Sequence, residues 1–244
     1  MMPIGDDNSD RRMTPYVNYA LIALNILVFV VFQGLGTNDR FTLAWVTVPQ
    51  EIRTGQDIVT ESDVVRDPAT GQQVNVPGLQ TTPISVYLTL IMSMFMHGSI
   101  AHIFGNLLFL WIFGDNVEDR IGHGRYLIFY LLVGVLASLA HVASTLFFGG
   151  NPLIPSLGAS GAISGVLAAY VLLFPQRRVM VIMLRFMTQW VPALLAVGLW
   201  FVLQLVQSLG FLGASEGVAY AAHIGGFVAG LLLIKLFEIG VQRA

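Results

Sequence analysis

The chain contains six apolar runs of membrane-spanning or near-spanning length, and these constrain its fold more than any other feature. A transmembrane helix needs about 20 predominantly apolar residues. In lipid every backbone polar group needs an internal partner, so we expect the runs to be helical. The first run is too long for the core of a signal peptide, and we interpret it as a retained span. The predicted spans cover residues 16–33, 100–118, 126–148, 157–174, 191–210 and 216–238.

Composition agrees with a membrane environment. Charged residues make up 11% of the chain and hydrophobic residues 55%, whereas a soluble domain carries about a quarter charged residues. We therefore predict an all-α membrane protein whose partners include the lipid bilayer. The net charge of -2, without a basic run, gives no indication of a nucleic-acid partner. The chain has no cysteine, which excludes disulfides and a thiol nucleophile.

The segments outside the spans divide the chain further. The predicted N-terminal cytoplasmic segment, six-span domain and cytoplasmic tail are residues 1–15, 16–240 and 241–244. Residues 34–99 form a long loop between the first two spans. Within this loop, residues 66–71 favour a turn in a small hairpin, and residues 84–96 are too short to span and are expected to be partly embedded. Residues 176–189 are expected to lie along the membrane surface.

The distribution of Lys and Arg predicts the orientation of the spans. Cytoplasmic loops carry an excess of these residues, and the short loops decide the topology. The short turns after the third and fifth spans contain none, which predicts an N-in, C-in arrangement with the long loop outside. The outer side then holds only Arg40, Arg53 and Arg66, all in the long loop. The inner side holds Arg11, Arg12, Arg120, Arg125, Arg177, Arg178, Arg185, Lys235 and Arg243.

Ser160 is the strongest candidate for a reactive side chain, because it begins a span between glycines and a histidine lies at a similar depth. At a rise of 1.5 Å per residue, Ser160 lies roughly 8 Å below the outer boundary of the hydrocarbon core. His223 lies roughly 10 Å from the outer end of the sixth span. A hydroxyl becomes a nucleophile when a base such as neutral imidazole takes its proton. The sequence therefore predicts a Ser160–His223 pair.

Small and polar residues on three spans indicate that these spans meet around the pair. Gly161 and Gly165 form a small-residue face on the fourth span, and Gly226 with Gly230 continues one on the sixth. Such faces let helix backbones approach closely in lipid. On the second span, the side chains of His102 and Asn106 share one face near its outer end.

The remaining histidines have structural interpretations. His141 in the third span has no evident partner, and His97 and His123 fall near span ends, where solvated or capping roles suffice. Ser99 is expected to cap the second span. The chain has no H-E-x-x-H pattern, and the acids that flank the spans are predicted at the wrong depth or side. We therefore expect neither a metal nor another cofactor.

Four segments carry recognisable signatures in a fixed order. They are His102-Ile103-Phe104-Gly105-Asn106, the stretch from Gly114 to Gly122, Gly158-Ala159-Ser160-Gly161 and Ala222-His223-Ile224-Gly225-Gly226. In these segments the chain resembles the rhomboid family of intramembrane serine proteases, and the resemblance covers the six-span core, roughly residues 15–239.

The resemblance implies a six-transmembrane-helix rhomboid bundle in which Ser160 is the nucleophile and His223 the base, without a catalytic acid. It implies that Asn106, His102 and the backbone N–H of Ser160 line an oxyanion hole. The fifth span and the loop after it would gate the access of substrate. The glycines expected to pack helices near the site are Gly158, Gly161, Gly165, Gly226 and Gly230.

Two features depart from the family. The position four residues after the nucleophile is often aromatic and stacks on the histidine, but here it is Ser164. The orientation of His223 is therefore expected to rest on other contacts or on a hydrogen bond from Ser164. The Trp-Arg pair found in the first loop of some members is absent, so details of that loop do not transfer.

We predict an endopeptidase that cleaves transmembrane segments of other membrane proteins near the outer face of a prokaryotic plasma membrane. The first alternative is a catalytically inactive rhomboid-like scaffold that binds spans, and the presence of both Ser160 and His223 disfavours it. The second is a polytopic channel or transporter. It is disfavoured because the polar residues cluster near one face and no inverted repeat is apparent.

Overall fold

The computed structural model describes residues 2–66, 71–182, 187–208 and 219–240, and these residues are mostly helical. The helices are α1 (Tyr16–Leu27), α2 (Asp39–Ala44), α3 (Pro49–Thr54), α4 (Thr89–Met92), α5 (Ile100–Ile121), α6 (His123–Phe148), α7 (Ser160–Leu173), α8 (Ala193–Ser208) and α9 (Tyr220–Glu238). The strands are β1 (Met2–Asp6), β2 (Asp63–Arg66), β3 (Gln73–Val76), β4 (Arg178–Ile182) and β5 (Thr188–Pro192). Shorter π or 3-10 turns cover Val28–Phe32, Gly34–Gly36, Val86–Leu88 and Ser93–Phe95.

Among the described residues, α5, α6 and α9 are long and apolar enough to cross a membrane. Four shorter apolar helical segments accompany them, at Tyr16–Phe32, Val86–Phe95, Ser160–Leu173 and Ala193–Val206. Large apolar side chains on these helices remain exposed, among them Val31, Phe104, Trp111, Ile128, Leu194 and Leu232. An apolar surface of this extent suits contact with lipid. The chain is therefore a helical membrane protein.

Helix α7 lies inside the bundle, and every residue from Gly161 to Val171 is buried. The helix begins at Ser160 because Gly158, two residues earlier, has a φ of +116°, which glycine tolerates and a helix excludes. It ends at Leu173, two residues before Pro175, whose ring disfavours helical backbone at the residue before it. The apolar run expected at 157–174 thus forms a shorter helix with Ser160 at its first position.

Glycines bring α7 and α9 into backbone contact. A Cβ on Gly226 would lie 2.1 Å from the carbonyl oxygen of Gly161, and a Cβ on Gly230 would lie 2.4 Å from that of Gly165. Each contact advances by four residues in the same direction on both helices, so α7 and α9 run parallel. Their N-terminal ends therefore lie at the same end of the bundle.

The expectation of an all-α chain is wrong in one respect, because the described residues also form two antiparallel sheets. The larger sheet has the strand order β1-β4-β5, with Val181 opposite Pro3 on one side and Gln189 on the other. Residues 176–189, expected along the membrane surface, therefore include a strand and part of its neighbour. The alternation in Arg178–Ile182 explains this difference, since Val179 and Val181 face inward and are buried.

The N-terminal segment is tied to the cytoplasm-facing end predicted for α5. Arg11 Nη1 lies 2.5 Å from Asp115 Oδ2, which forms an ion pair. The backbone N–H groups of Arg12 and Met13 donate to Asp119 Oδ1 at 2.9 and 2.6 Å. Together with the pairing of β1, these contacts pack the segment before α1 against the helices.

Glu118 of α5 holds the N-terminus of α1. Its buried carboxylate accepts hydrogen bonds from the backbone N–H groups of Val17 and Asn18 at 2.9 and 2.7 Å. These first-turn groups have no acceptor within their own helix, and the helix dipole favours a negative charge there. The carboxylate also contacts Nδ1 of the partly exposed His123. His123 thus lies at the start of α6 beside an acid.

The long loop after the first span contains local structure. Strands β2 and β3 pair with Val64 opposite Asn75, which confirms the hairpin, while its turn residues 67–70 lie outside the described part of the chain. The segment Val86–Phe95 forms three short helical turns instead of a span. Met94 and Phe95 at its end are buried in the main core. This end of the loop therefore enters the bundle next to the start of α7.

Candidate active site

Ser160 and His223 meet at one end of the bundle. The distance from Ser160 Oγ to His223 Nε2 is 2.8 Å, although 63 residues separate them in sequence. Ser160 is the first residue of α7, and His223 lies in the first turn of α9. The parallel packing of these helices through Gly161 and Gly226 sets both side chains at one level. A hydroxyl and an imidazole nitrogen at this distance can exchange a proton.

The second ring nitrogen of His223 contacts α8. Its Nδ1 lies 2.7 Å from Oε1 of Gln204. The ring centroids of Trp200 and Tyr220 lie 6.1 and 6.4 Å from that of His223, the first tilted and the second edge-on. Three side chains from α8 and α9 thus define the orientation of the imidazole.

Ser164 does not orient His223. Its Oγ donates to the carbonyl oxygen of Ser160, one turn earlier in α7, at 2.7 Å, and the side chain is fully buried. A serine hydroxyl inside a helix commonly bonds a carbonyl four residues back, because that acceptor is within reach. Of the two ways of orienting His223 that the sequence suggested, the hydrogen bond from Ser164 is therefore wrong, and other contacts orient the ring.

Asn106 and His102 of α5 face Ser160 and His223 across a cavity of about 360 Å³. Asn106 is 7% exposed, and its Nδ2 is buried without a hydrogen-bond partner among the described residues. A buried amide group without a partner is uncommon because its desolvation is costly. Asn106 therefore presents an unused donor in the cavity that the serine lines.

His102 has one nitrogen occupied and the other close to the start of α7. The N–H of Gly98 donates to His102 Nδ1 at 3.4 Å. In a neutral ring this leaves the proton on Nε2, which is then a donor. A Cβ on Gly158 would lie 2.7 Å from that Nε2. Gly158 lies in the turn before α7, and its lack of a side chain lets this turn pack closely against His102 of α5.

The turn before α7 is fixed by the end of the long loop. The N–H of Gly158 donates to the carbonyl oxygen of Ser93 at 2.9 Å. The Ser93 hydroxyl lies 2.9 Å from that of Thr47. Ser99 accepts a hydrogen bond from the N–H of His102 at 3.1 Å, which confirms it as the cap of α5. Loop residues thus position the beginnings of both α5 and α7.

His97 is buried, contrary to the solvated or capping role expected of it. Its side chain is 0% exposed, and its ring lies edge-on to His102 with centroids 5.1 Å apart. Its backbone is held by Gln33, which accepts from the N–H and donates to the carbonyl oxygen, both at 3.0 Å. The end of the long loop turns into the bundle at His97. The position of a residue near the end of a span does not show such a turn, so the sequence did not predict its burial. His141 is half-buried in α6.

Sequence reasoning missed Gln204 as a neighbour of the candidate base. The available signal was a single amide within the apolar stretch Ala193–Val206, and polar side chains in such helices often bond across to another helix. Because α8 precedes α9 and reverses direction, the C-terminal part of α8 lies beside the N-terminal part of α9. The depth of Gln204 in the membrane should therefore be close to that of His223. Nothing in the sequence, however, distinguished Gln204 from a packing residue.

The fold and the site together define a helical membrane protein with a serine–histidine pair that lines a partly polar cavity. A family model described as Rhomboid domain matches residues 85–238 of this chain. The chain belongs to the rhomboid family.

Proteins similar to this chain include a bacterial one and several named as mitochondrial. Rhomboid protease GluP of Bacillus subtilis is 32% identical over 149 residues, which cover 61% of this chain and 25% of the relative. Presenilin-associated rhomboid-like protein, mitochondrial, of Bos taurus is 28% identical over 173 residues, covering 65% and 43%. Rhomboid protein 1, mitochondrial, of Saccharomyces cerevisiae is 31% identical over 162 residues, covering 63% and 43%. The chain thus spans a quarter to less than half of the length of these relatives.

Proposed function

We propose that this protein is an intramembrane serine endopeptidase that cleaves transmembrane segments of other membrane proteins. The observation that carries this proposal is the 2.8 Å contact between Ser160 Oγ and His223 Nε2. It joins a nucleophile to a base beside a cavity large enough to hold part of a peptide. The name of the Bacillus subtilis relative, a rhomboid protease, adds support at the level of the family.

The reaction proceeds through a serine ester. Ser160 Oγ attacks the scissile carbonyl carbon while its proton passes to His223 Nε2. The C–N bond then breaks, and His223 gives that proton to the leaving amine. Water attacks the ester carbonyl as its proton moves to Nε2, and the C–O bond breaks as Ser160 recovers the proton. The full cycle consumes one water molecule and returns Ser160 and His223 to their starting protonation states.

Three donors are proposed to stabilise the oxyanion that forms on the scissile carbonyl. The N–H of Ser160 has no acceptor within α7, because it belongs to the first turn. Asn106 supplies its unpaired Nδ2, and His102 supplies Nε2 from the same face of α5. Donors of this kind act on charge that develops only during the reaction, in a site where little water competes.

The proposed architecture is a six-span bundle with both termini in the cytoplasm and the cavity opening toward the outer face. The end of the bundle opposite Ser160 gathers basic residues. Arg120 pairs with Glu238 at 2.6 Å, Lys235 with the same acid at 2.9 Å, and Arg177 with Asp10 at 2.6 Å. Basic residues at one end favour the cytoplasmic side there. A prokaryotic plasma membrane stays a prediction, since the relatives include mitochondrial proteins.

The proposed substrates are transmembrane helices with a locally unstable stretch, because a peptide bond must be extended to reach Ser160. Access is proposed past α8, which lines the cavity through Trp200 and Gln204. The loop after the fifth span, also expected to gate access, falls at residues 209–218, outside the described part of the chain.

The test is cleavage of a single-span reporter protein in proteoliposomes. Ser160→Ala and His223→Ala should each reduce turnover to background, and the double variant should be no worse than either, because the two groups act as a unit. Ser164→Ala is the matched control: it removes a hydroxyl one turn away on α7 and should stay within a few-fold of the unmodified protein. Chelators should leave turnover unchanged.

Other outcomes would select the alternatives. Full cleavage by Ser160→Ala would exclude a serine protease that uses this residue. Binding of the reporter span without cleavage by the unmodified protein would indicate a scaffold. Solute flux across the vesicles in the absence of proteolysis would indicate a channel or transporter.

A further inference from the structure

Gln204 connects a third helix to the serine–histidine pair. It lies near the C-terminal end of α8, and its Oε1 is 2.7 Å from His223 Nδ1. Both ring nitrogens of His223 are therefore engaged, one by Ser160 and the other by Gln204. The side chain also lines the cavity that contains the candidate serine.

The two contacts agree with only one tautomer of neutral His223. The amide oxygen of glutamine accepts hydrogen bonds and cannot donate them, so Nδ1 must carry the proton. Nε2 then has a free lone pair, which accepts the hydrogen bond from Ser160 Oγ. This is the form in which the imidazole can act as a base toward the serine. With the opposite tautomer, Nε2–H would face the hydroxyl and could take no proton from it.

Among the described residues, the side chain that bonds Nδ1 of His223 is Gln204. Trp200 and Tyr220 lie beside the ring at centroid distances of 6.1 and 6.4 Å, and limit its tilt by packing. Ser164, at the position that is often aromatic in the family, bonds its own helix. Packing restricts where the ring lies but does not distinguish its two nitrogens, whereas a hydrogen-bond acceptor beside Nδ1 does.

We propose that Gln204 is a positioning residue of this protein: it accepts the Nδ1 proton of His223 and thereby holds Nε2 ready to receive the proton of Ser160. The proposal rests on the proposed protease function. It assigns to an uncharged amide on α8 the orienting role that a carboxylate fills in a serine–histidine–aspartate triad. Gln204 touches the base and takes no part in bond making or breaking.

The kinetic test compares Gln204→Leu with Gln204→Glu in the full chain. Leucine has a similar size and removes the acceptor, so kcat should fall about ten- to a hundredfold, as activity does when a metal-bound histidine loses the partner that orients it, with a smaller change in KM. Glutamate keeps an acceptor oxygen at the same reach and should restore kcat to within a few-fold. Leu203→Ala, at the adjacent exposed position of α8, is the control and should match the unmodified protein.

A spectroscopic test does not depend on proteolysis. Nitrogen-15 chemical shifts of imidazole distinguish the two tautomers, and His223 is assigned by the signal that disappears in His223→Ala. In Ser160→Ala, where the serine contact is absent, we expect His223 to keep its proton on Nδ1. Adding Gln204→Leu should produce a mixture of tautomers, and adding Gln204→Glu should not.

The outcomes separate the two proposals. If Ser160→Ala still cleaves the reporter, the proposed function fails, and the tautomer measurement still decides the role of Gln204. If the unmodified protein cleaves and Gln204→Leu equals it in kcat with an unchanged tautomer, the role of Gln204 is refuted. Loss of activity in both Gln204→Leu and Gln204→Glu, with the tautomer unchanged, would reduce Gln204 to a packing residue.

Discussion

At the scale of single residues, the site combines groups that would be unremarkable alone. A serine in an apolar helix usually bonds a carbonyl of its own helix, as Ser164 does. Ser160 differs because it is the first residue of α7, where the backbone before it turns at Gly158 and leaves the side chain free to meet His223. The two serines therefore differ in their position within the helix, and this position determines what each hydroxyl can bond.

Asn106 provides a prediction at this scale. Its buried Nδ2 has no partner among the described residues, so its donor is available to an oxyanion. Asn106→Ala should lower kcat by about 10² to 10³, the usual cost of losing one such donor, with a smaller change in KM. Cleavage of the reporter protein measures both constants, and labelling of Ser160 by a fluorophosphonate should persist because the serine–histidine pair remains.

A second substitution at the same position sharpens this test. Asn106→Asp keeps the shape of the side chain and replaces the donor with an acceptor, so its kcat should be at least as low as that of Asn106→Ala. Ser138, which lines the same cavity from α6, is the matched control, and Ser138→Ala should stay within a few-fold. Unchanged turnover in Asn106→Ala would make Asn106 a packing residue.

At the scale of helices and strands, the contact between α7 and α9 determines whether the pair can form. The two backbones touch where glycine faces glycine, and the same contact sets the levels of Ser160 and His223. A side chain at this interface would have to push backbone, which cannot move aside as the end of a flexible side chain can. The helices would separate, and the 2.8 Å contact would lengthen.

Gly226→Ala tests this interface. The new Cβ would lie 2.1 Å from the carbonyl oxygen of Gly161, so we expect a loss of about 1–3 kcal/mol in the free energy of unfolding, as in other overpacked cores. Gly198→Ala is the control, because nothing lies within 4 Å of a Cβ at that position of α8. It should be neutral or stabilising by up to about 1 kcal/mol.

Unfolding by a denaturing detergent measures both glycine variants in the same membrane-mimetic environment. Equal stability of Gly226→Ala and the unmodified protein would mean that α7 and α9 do not touch at this point.

Strand β1 introduces a dependence on pH. Burial, assisted by the nearby Asp115, raises the pKa of Asp6 from 3.8 to about 7, against the hydrogen bond from Tyr170 and the charge of Arg177. Tyr170 Oη and Asn116 Nδ2 both donate to Asp6 Oδ2, at 2.6 and 2.9 Å. Between about pH 4 and pH 7 the folded chain holds a proton that the unfolded chain has lost, so this group stabilises less as the pH rises.

Asp6→Asn should remove that dependence, because an amide oxygen in the same place accepts both hydrogen bonds and carries no charge. The unfolding midpoint of the unmodified protein should fall more between about pH 5 and pH 8 than that of Asp6→Asn. At the higher pH the variant should be the more stable of the two. Parallel pH curves for the two proteins would show that Asp6 titrates alike in the folded and unfolded chain.

At the scale of the whole molecule, the two ends of the bundle differ in chemistry. Ser160, His223 and His102 begin their helices at one end, while ion pairs of Arg11, Arg120 and Arg177 occupy the other. In a membrane this polarity favours the basic end in the cytoplasm. The proposed cleavage would then take place near the outer face.

Cysteine labelling can test this orientation, because the chain has no cysteine of its own. Ser9→Cys and Gln56→Cys place single thiols at exposed positions before α1 and in the long loop. A membrane-impermeant reagent added to intact cells should label Gln56→Cys, whereas Ser9→Cys should need permeabilised cells. Labelling of Gln56→Cys only after permeabilisation would reverse the proposed topology. A cysteine at Ser9 labelled from outside would do the same.

Much of the fold was predictable because lipid restricts the choices. The apolar runs predicted helices close to those observed, and Ser99 was predicted as a cap from its position before α5. The hairpin of β2 and β3 followed from its turn residues. By contrast, β1 pairs with a strand more than 170 residues away, and the short run Arg178–Ile182 alone does not distinguish a strand from a surface segment.

The sequence by itself determined that this chain is a helical membrane protein of the rhomboid family, and it identified Ser160, His223, Asn106 and His102 as candidates. Only the tertiary structure decided which groups orient them. Ser164 bonds within α7, Gly158 makes room for His102, and Gln204 reaches His223 from α8. Periodicity and depth constrain each helix along its own axis, whereas a hydrogen bond between helices depends on their rotation and separation. Those are set by packing of the whole bundle.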